Sequence, residues 1–97
     1  MNKRPFAILG AGNAATALAL LLARHGRPVH LYCIEEDVMR DINMNACNTK
    51  YLSGVKLPKL IRAFADIEQT VSRAEIVLIA VPSFAIYQAL DLSLIHI

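Results

Sequence analysis

A short apolar run, Phe6-Ala7-Ile8-Leu9, ends directly in Gly10-Ala11-Gly12-Asn13-Ala14-Ala15, and a long Ala/Leu-rich segment follows. That juxtaposition constrains the fold more than any other feature of the chain. A continuous apolar run of this length fits a strand buried on both faces, as in a parallel sheet. From Asn13 to His25 the residues are mostly strong helix formers, and they stop at Gly26 with Pro28 two residues later. Val29-His30-Leu31-Tyr32-Cys33-Ile34 alternates and is rich in β-branched and aromatic residues, which predicts a second strand parallel to the first through the helical crossover. A G-x-G-x-x-A turn inside such a βαβ unit of about thirty residues is the setting in which it holds a dinucleotide pyrophosphate.

Each position of the turn then has a physical role. Gly10 permits the tight turn out of the strand, and Gly12 removes a side chain where backbone must approach phosphate. Ala15 stands in the third place, where only a small residue lets the helix pack on the strands. The amides of Asn13 and Ala14 fall at a helix N-terminus, where unpaired N–H groups and a partial positive charge favour an anion. A purely structural glycine turn is the alternative reading.

Further along, Glu35-Glu36-Asp37 places three acids at the start of a second helix, with Val38, Ile42 and Met39 turned inward to about Asn45. Residues 48–58 have no helical or strand period and contain Ser53-Gly54 and Leu57-Pro58. Ile61-Arg62-Ala63-Phe64 reads as a short strand, Asp66 as the N-cap of a helix through Ser72 or Arg73, and 76–81 as an apolar strand ending at Pro82. A last helix is expected from about Ser83 past Leu90. The order β-α-β-α-loop-β-α-β-α predicts an α/β fold: a Rossmann-type open parallel sheet with helices on both faces. The 97 residues suit one domain with a single core. The apolar tail Leu92–Ile97, with no polar terminus, leads us to expect an interrupted chain.

The totals exclude several functions. The net charge of +2 comes from dispersed Lys and Arg, without the basic stripe of a nucleic-acid binder, so no nucleic-acid partner is expected. The longest apolar stretch, Ala14 to Ala23, is too short to span a bilayer, and the basic start Met1–Pro5 is not followed by a credible signal cleavage site. A cytoplasmic location is expected. Cys33 and Cys47 share no metal-ligand spacing with each other or with His25, His30 and His96, so they are expected reduced and metal-free. At 56% hydrophobic residues, either the sheet is buried on both faces or some apolar surface awaits a partner.

The usual ribose ligand is an acid at the end of the second strand, and that place falls on Cys33. Glu35, two residues further, can reach a ribose hydroxyl if the loop turns back; it can equally be a helix-start acid. With Glu35 and Glu36 nearby and no Arg at 34, a 2′-phosphate would meet repulsion, which favours NAD over NADP.

The segment Asn48-Thr49-Lys50-Tyr51-Leu52-Ser53-Gly54-Val55-Lys56-Leu57-Pro58 closely resembles the N-x-x-Y/F-L-P-G-x-x-L-P loop of the NAD(P)-dependent glycerol-3-phosphate dehydrogenases. In that family the loop follows the same glycine turn and precedes an A-V-P-S segment, which Ala80-Val81-Pro82-Ser83 matches. The resemblance covers about residues 5 to 91. It implies reversible hydride transfer between sn-glycerol 3-phosphate and dihydroxyacetone phosphate, a phosphorylated triol and ketone, with a homodimer as one assembly open to the full-length enzyme. It implies that Gly10, Gly12, Asn13 and Ala14 hold the pyrophosphate and that the backbone at Ala80, Val81 and Pro82 passes along the cofactor. It also implies that 1–97 is a partial NAD-binding domain without the C-terminal helical substrate domain. By the same resemblance the catalytic lysines and the substrate-phosphate grip lie beyond the last helix, mostly in that second domain, so no residue here is assigned a catalytic role. The chain departs from the family pattern at Ala14-Ala15, usually an aromatic residue and glycine, and at Ser53, usually proline. A non-catalytic NAD-binding or sensing module, or the first half of a sister dehydrogenase such as a ketopantoate reductase-like enzyme, are the alternatives.

The remaining candidates have plainer roles. Ser83 fits a helix N-cap, His25 the C-terminal end of its helix, His30 a solvent-facing strand position and Tyr51 a packing anchor for its loop. Lys50 and Lys56 could face a phosphate, but loop lysines are usually solvated.

Overall fold

The computed structural model describes residues 3–80. Four parallel strands, β1 (Phe6–Leu9), β2 (Val29–Tyr32), β3 (Ile61–Phe64) and β4 (Ile76–Ile79), form one sheet in the order β3-β2-β1-β4. Residues Phe6, Val29, Ile61 and Ile76 stand in one register across it. The helices are α1 (Asn13–Arg24), α2 (Glu36–Arg40) and α3 (Ile67–Val71). The predicted helix from Ser83, the tail from Leu92, and Val81 and Pro82 lie outside the described residues.

Strand alternation sorts the core onto two faces. Ile8, Val29, Leu31, Ile61 and Ala63 pack with α1 and α2, whereas Leu9 packs with Ile67 of α3. Helix α1 buries Ala15, Thr16, Ala19 and Ala23, a stripe of small residues at helical spacing that lets its backbone lie close to the sheet. It ends as its sequence requires: Gly26 takes φ 81°, and the Nδ1 of His25 bonds the Leu21 carbonyl oxygen at 2.9 Å. Asp66 caps α3 by accepting from the amides of Glu68 and Gln69.

Four expectations change. Strand β2 ends at Tyr32, although the Cys33 amide still donates to the Phe64 carbonyl, and Ile34 beyond it is exposed. The second helix is α-helical only to Arg40 and continues to Asn45 as a π-helical turn. The wider turn keeps Ile42 in the core while the Asn43 side chain reaches β3, where its Nδ2 donates to the Ala63 carbonyl and its Oδ1 accepts from the Ala63 amide, both at 2.8 Å. Asn43 thus occupies the free edge of β3 as a neighbouring peptide group would. His30 does not face solvent: it is half-buried, with its ring edge-on to Phe64 at 4.9 Å, because β2 carries its odd residues to the α1 face and His30 to the α3 face. Burial, and then the nearby Arg62 charge, holds the imidazole pKa below its ordinary value. Finally, of the two expectations for the apolar content, exposed apolar surface is what the described residues show at β4, in Ile76, Val77 and Ile79.

Candidate dinucleotide site

The strand order makes a site before any side chain is considered. After β1 the chain builds β2 and β3 on one side, then crosses to place β4 on the other, so it reverses direction between β1 and β4. A crevice opens at such a switch point, beyond the carboxyl ends of the strands. On one side of it lies the glycine turn; on the other lies Ala80, whose amide extends the pairing by donating to the Leu9 carbonyl at 3.2 Å.

The turn itself is fixed by backbone. Gly10 has φ 139°, a conformation L side chains rarely adopt, and its amide donates to the Tyr32 carbonyl at 3.1 Å, so the chain leaves β1 still tied to β2. Gly12 is different. Its φ of −78° suits any residue, and a Cβ built there would meet nothing within 4 Å. Among the described residues neither backbone conformation nor packing requires glycine at 12, and the space beside it is open. Helix α1 starts at Asn13 with no side-chain cap and no acid in its first turn, and its first amide to find an intrahelical partner is Thr16, bonded to the Gly12 carbonyl at 3.0 Å. The amides of Asn13, Ala14 and Ala15 are therefore the orphan donors of a three-turn helix, facing space that glycine keeps clear. Asn13 and Ala14 are exposed, whereas Ala15 is fully buried against the sheet. These residues fit a dinucleotide pyrophosphate: backbone donors, a positive helix end, room for close approach and no nearby carboxylate in the turn.

The loop after α2 closes over the turn. Asn48 is fully buried, and its Nδ2 donates to the Ala11 carbonyl at 2.9 Å and to Thr16 Oγ1 at 2.7 Å. Its Oδ1 accepts from the Tyr51 amide at 3.3 Å, and its carbonyl accepts from the Leu52 amide at 2.7 Å. One asparagine thus pins both the glycine turn and its own loop. Asn13 adds a second tie, its Nδ2 donating to the Tyr51 carbonyl at 3.0 Å. No role of its own was legible for Asn48 in the sequence; its place as the first residue of the N-x-x-Y/F-L-P-G-x-x-L-P pattern is the signal that marked it.

At the end of β2 the structure brings together three residues that the sequence left apart. Glu35 Oε1 accepts from Lys50 Nζ at 2.5 Å, and Oε2 accepts from the Tyr51 hydroxyl at 2.7 Å. These two bonds, the lysine's first, hold the Glu35 carboxyl below the ordinary carboxylate range, and the Glu35 carboxylate in turn raises the pKa values of Lys50 and Tyr51. Tyr51 is therefore more than a packing anchor and Lys50 is not merely solvated. Lys56 instead donates to the Asn45 carbonyl at 3.1 Å. Cys33, at the position where the ribose acid commonly stands, is buried with a thiol pKa pushed up chiefly by that burial, so it faces the core and not the crevice. Among the described residues no group of His, Cys, Asp and Glu could hold a metal, and no helix is long and apolar enough to cross a membrane. A wider cleft on the α3 face, lined by Lys3, Arg4, His30, Phe64, Gln69 and Arg73, contains none of the predicted site residues.

Comparison with known proteins agrees with this geometry. The family described as NAD-dependent glycerol-3-phosphate dehydrogenase N-terminus matches residues 5–94. A glycerol-3-phosphate dehydrogenase [NAD(P)+] of Coxiella burnetii is 39% identical over 88 residues, 91% of this chain and 26% of that protein. One from Xylella fastidiosa is 42% identical over 89 residues, covering 92% of this chain and 26% of its own length. The crystal structure of the Coxiella burnetii enzyme superposes with a TM-score of 0.84 over 90% of this chain and 27% of that one. The Plasmodium falciparum enzyme gives 0.86 at 28% identity, over 99% of this chain and 29% of that one. The chain thus spans about a quarter of the length of the relatives it matches. It belongs to the NAD-dependent glycerol-3-phosphate dehydrogenase N-terminal family.

Proposed function

We propose, from that membership, that the chain is the cofactor-binding part of an oxidoreductase interconverting sn-glycerol 3-phosphate and dihydroxyacetone phosphate. The bound nicotinamide cofactor supplies the chemistry by giving or taking a hydride. This chain's residues hold and orient it. The amides of Asn13, Ala14 and Ala15 receive the pyrophosphate over Gly10 and Gly12, Glu35 accepts from a ribose hydroxyl, and the backbone from Ala80 through Val81 and Pro82 lines its path. The observation that carries the reading is the uncapped start of α1 beside Gly12, where no atom among the described residues lies within 4 Å of the place a Cβ would take.

Among the described residues none is placed to move a proton on a substrate: Glu35, Lys50 and Tyr51 are engaged with one another. The substrate-binding and acid/base groups belong, in this proposal, to a helical second domain of the full-length enzyme, a cytoplasmic protein in which a homodimer is one assembly open. The test is a fluorescence titration of the 97-residue chain with NADH, followed by an assay with dihydroxyacetone phosphate. Saturable binding without turnover is expected; absence of binding overturns the cofactor role, and robust turnover overturns the division of labour.

A further inference from the structure

Glu35 and Lys50 form an ion pair just beyond the end of β2. Glu35 lies three residues beyond Tyr32, whose carbonyl is bonded to Gly10, and Tyr51 links the two sites directly. Its backbone carbonyl accepts from Asn13 at the start of α1, while its hydroxyl donates to Glu35. One residue therefore spans from the pyrophosphate end of the crevice to the ribose end. Resting on the cofactor reading above, we propose that Lys50 is the residue that sets the balance between NADH and NADPH at this site.

The chemistry follows from the charges present. An adenosine ribose with a free 2′-hydroxyl can donate to Glu35, whose carboxylate has about four acceptor positions and spends two on Lys50 and Tyr51. In that state Lys50 keeps its partner, and the pair stays neutral overall. A 2′-phosphate cannot donate in this way and is repelled by Glu35. It also stands within reach of the Lys50 ammonium, which is half-exposed and carried on a flexible stem, so that it can leave Glu35 for the phosphate. The position that family arithmetic would examine first for a cation, 34, holds an exposed isoleucine, which leaves Lys50 as the cation bonded to the ribose-reading acid. Tyr51 holds Glu35 in place when the lysine moves.

The same pair gives two opposed variants. Lys50→Met removes the cation paired with Glu35 while Tyr51 still holds Glu35. NADPH affinity should fall tenfold or more, and NADH affinity no more than about threefold, since only the 2′-phosphate makes a charge-assisted contact with Lys50. Glu35→Gln removes the repulsion and frees Lys50, so the NADPH-to-NADH affinity ratio should rise by tenfold or more. Lys50→Arg, which keeps the charge, should leave the ratio within about threefold of the parent.

The measurement is calorimetric titration of the full chain and of these three variants with NADH and with NADPH, at two ionic strengths. Support is a ratio that moves in opposite directions in Lys50→Met and Glu35→Gln, with the NADPH arm the more salt-sensitive. If the parent chain binds neither dinucleotide, the cofactor reading fails and takes this inference with it. If the parent binds and Lys50→Met weakens both dinucleotides equally, the cofactor reading stands and the inference is overturned, because Lys50 then only braces the loop.

Discussion

The glycine turn and the loop from Asn48 meet in one place but are held by opposite means. Residues 10–15 take their conformation mainly from backbone, with a positive φ at Gly10, an amide tied to Tyr32 and a helix that starts without a cap, and side chains only tie the finished turn to the loop. The loop has backbone bonds from Leu52 to Asn48 and from Leu57 to Ala46, but it is tied to the rest of the site largely by side chains. Asn48 bonds Ala11 and Thr16, Tyr51 and Lys50 bond Glu35, and Asp41 accepts from the Thr49 amide at 2.8 Å. A backbone-determined element leaves its donors free for a ligand, and a side-chain-determined one uses its polar groups on the protein. The crevice needs both, one to receive the anion and the other to hold the receiver still.

The largest effect should come from cutting the joint between them. Asn48→Leu leaves the Ala11 carbonyl and the Thr16 hydroxyl buried with fewer partners, each unsatisfied group costing about 1–3 kcal/mol, so a total loss of roughly 2–4 kcal/mol is expected. In a domain of this size that lowers the thermal midpoint by about 10 °C or more. A midpoint unchanged in a thermal melt would show that the turn does not depend on the loop.

The contrast also explains what could be seen in the sequence. The strands, α1 and the turn were legible because apolar runs, helix formers and glycines act locally, and the Asp66 cap was legible because its partners lie within three residues. Asn48 was not, because its partners are 32 and 37 residues away and no local pattern reports them. The π-helical turn was hidden for the same reason: it follows from Asn43 reaching Ala63, 20 residues on. Glu35 was legible as a charge at the end of β2, but its engagement by Lys50 and Tyr51 was not. The loop was recognised by resemblance, and its mechanics came only from the structure.

A smaller effect isolates the loop from the turn. Asp41 accepts from the Thr49 amide and from Asn45 Nδ2, and the first of these does most to lower its pKa below the ordinary 3.8. Because the folded value is depressed, the stabilising contribution is complete above the unfolded value and is lost as pH falls through the folded one. The Thr49 amide resonance should therefore titrate with a midpoint below 3.8 and cease to do so in Asp41→Asn. Only a small fall in thermal midpoint is expected with it, since the group is exposed. A Thr49 resonance that titrates identically in the variant would remove Asp41 from the account of the loop.

The central claim is that the space beside Gly12 belongs to a ligand and not to the fold. Gly12→Ala tests it in one protein with two readings, a thermal melt and an NADH titration. The added methyl meets nothing within 4 Å among the described residues and the backbone φ of −78° accepts it, so the stability read from the melt should stay within about 0.5 kcal/mol of the parent or rise slightly. NADH affinity should fall at least tenfold, about 1.4 kcal/mol, because the Cβ takes the place of approaching phosphate. Unchanged affinity, or a loss of stability that accounts for the loss of binding, would contradict the claim.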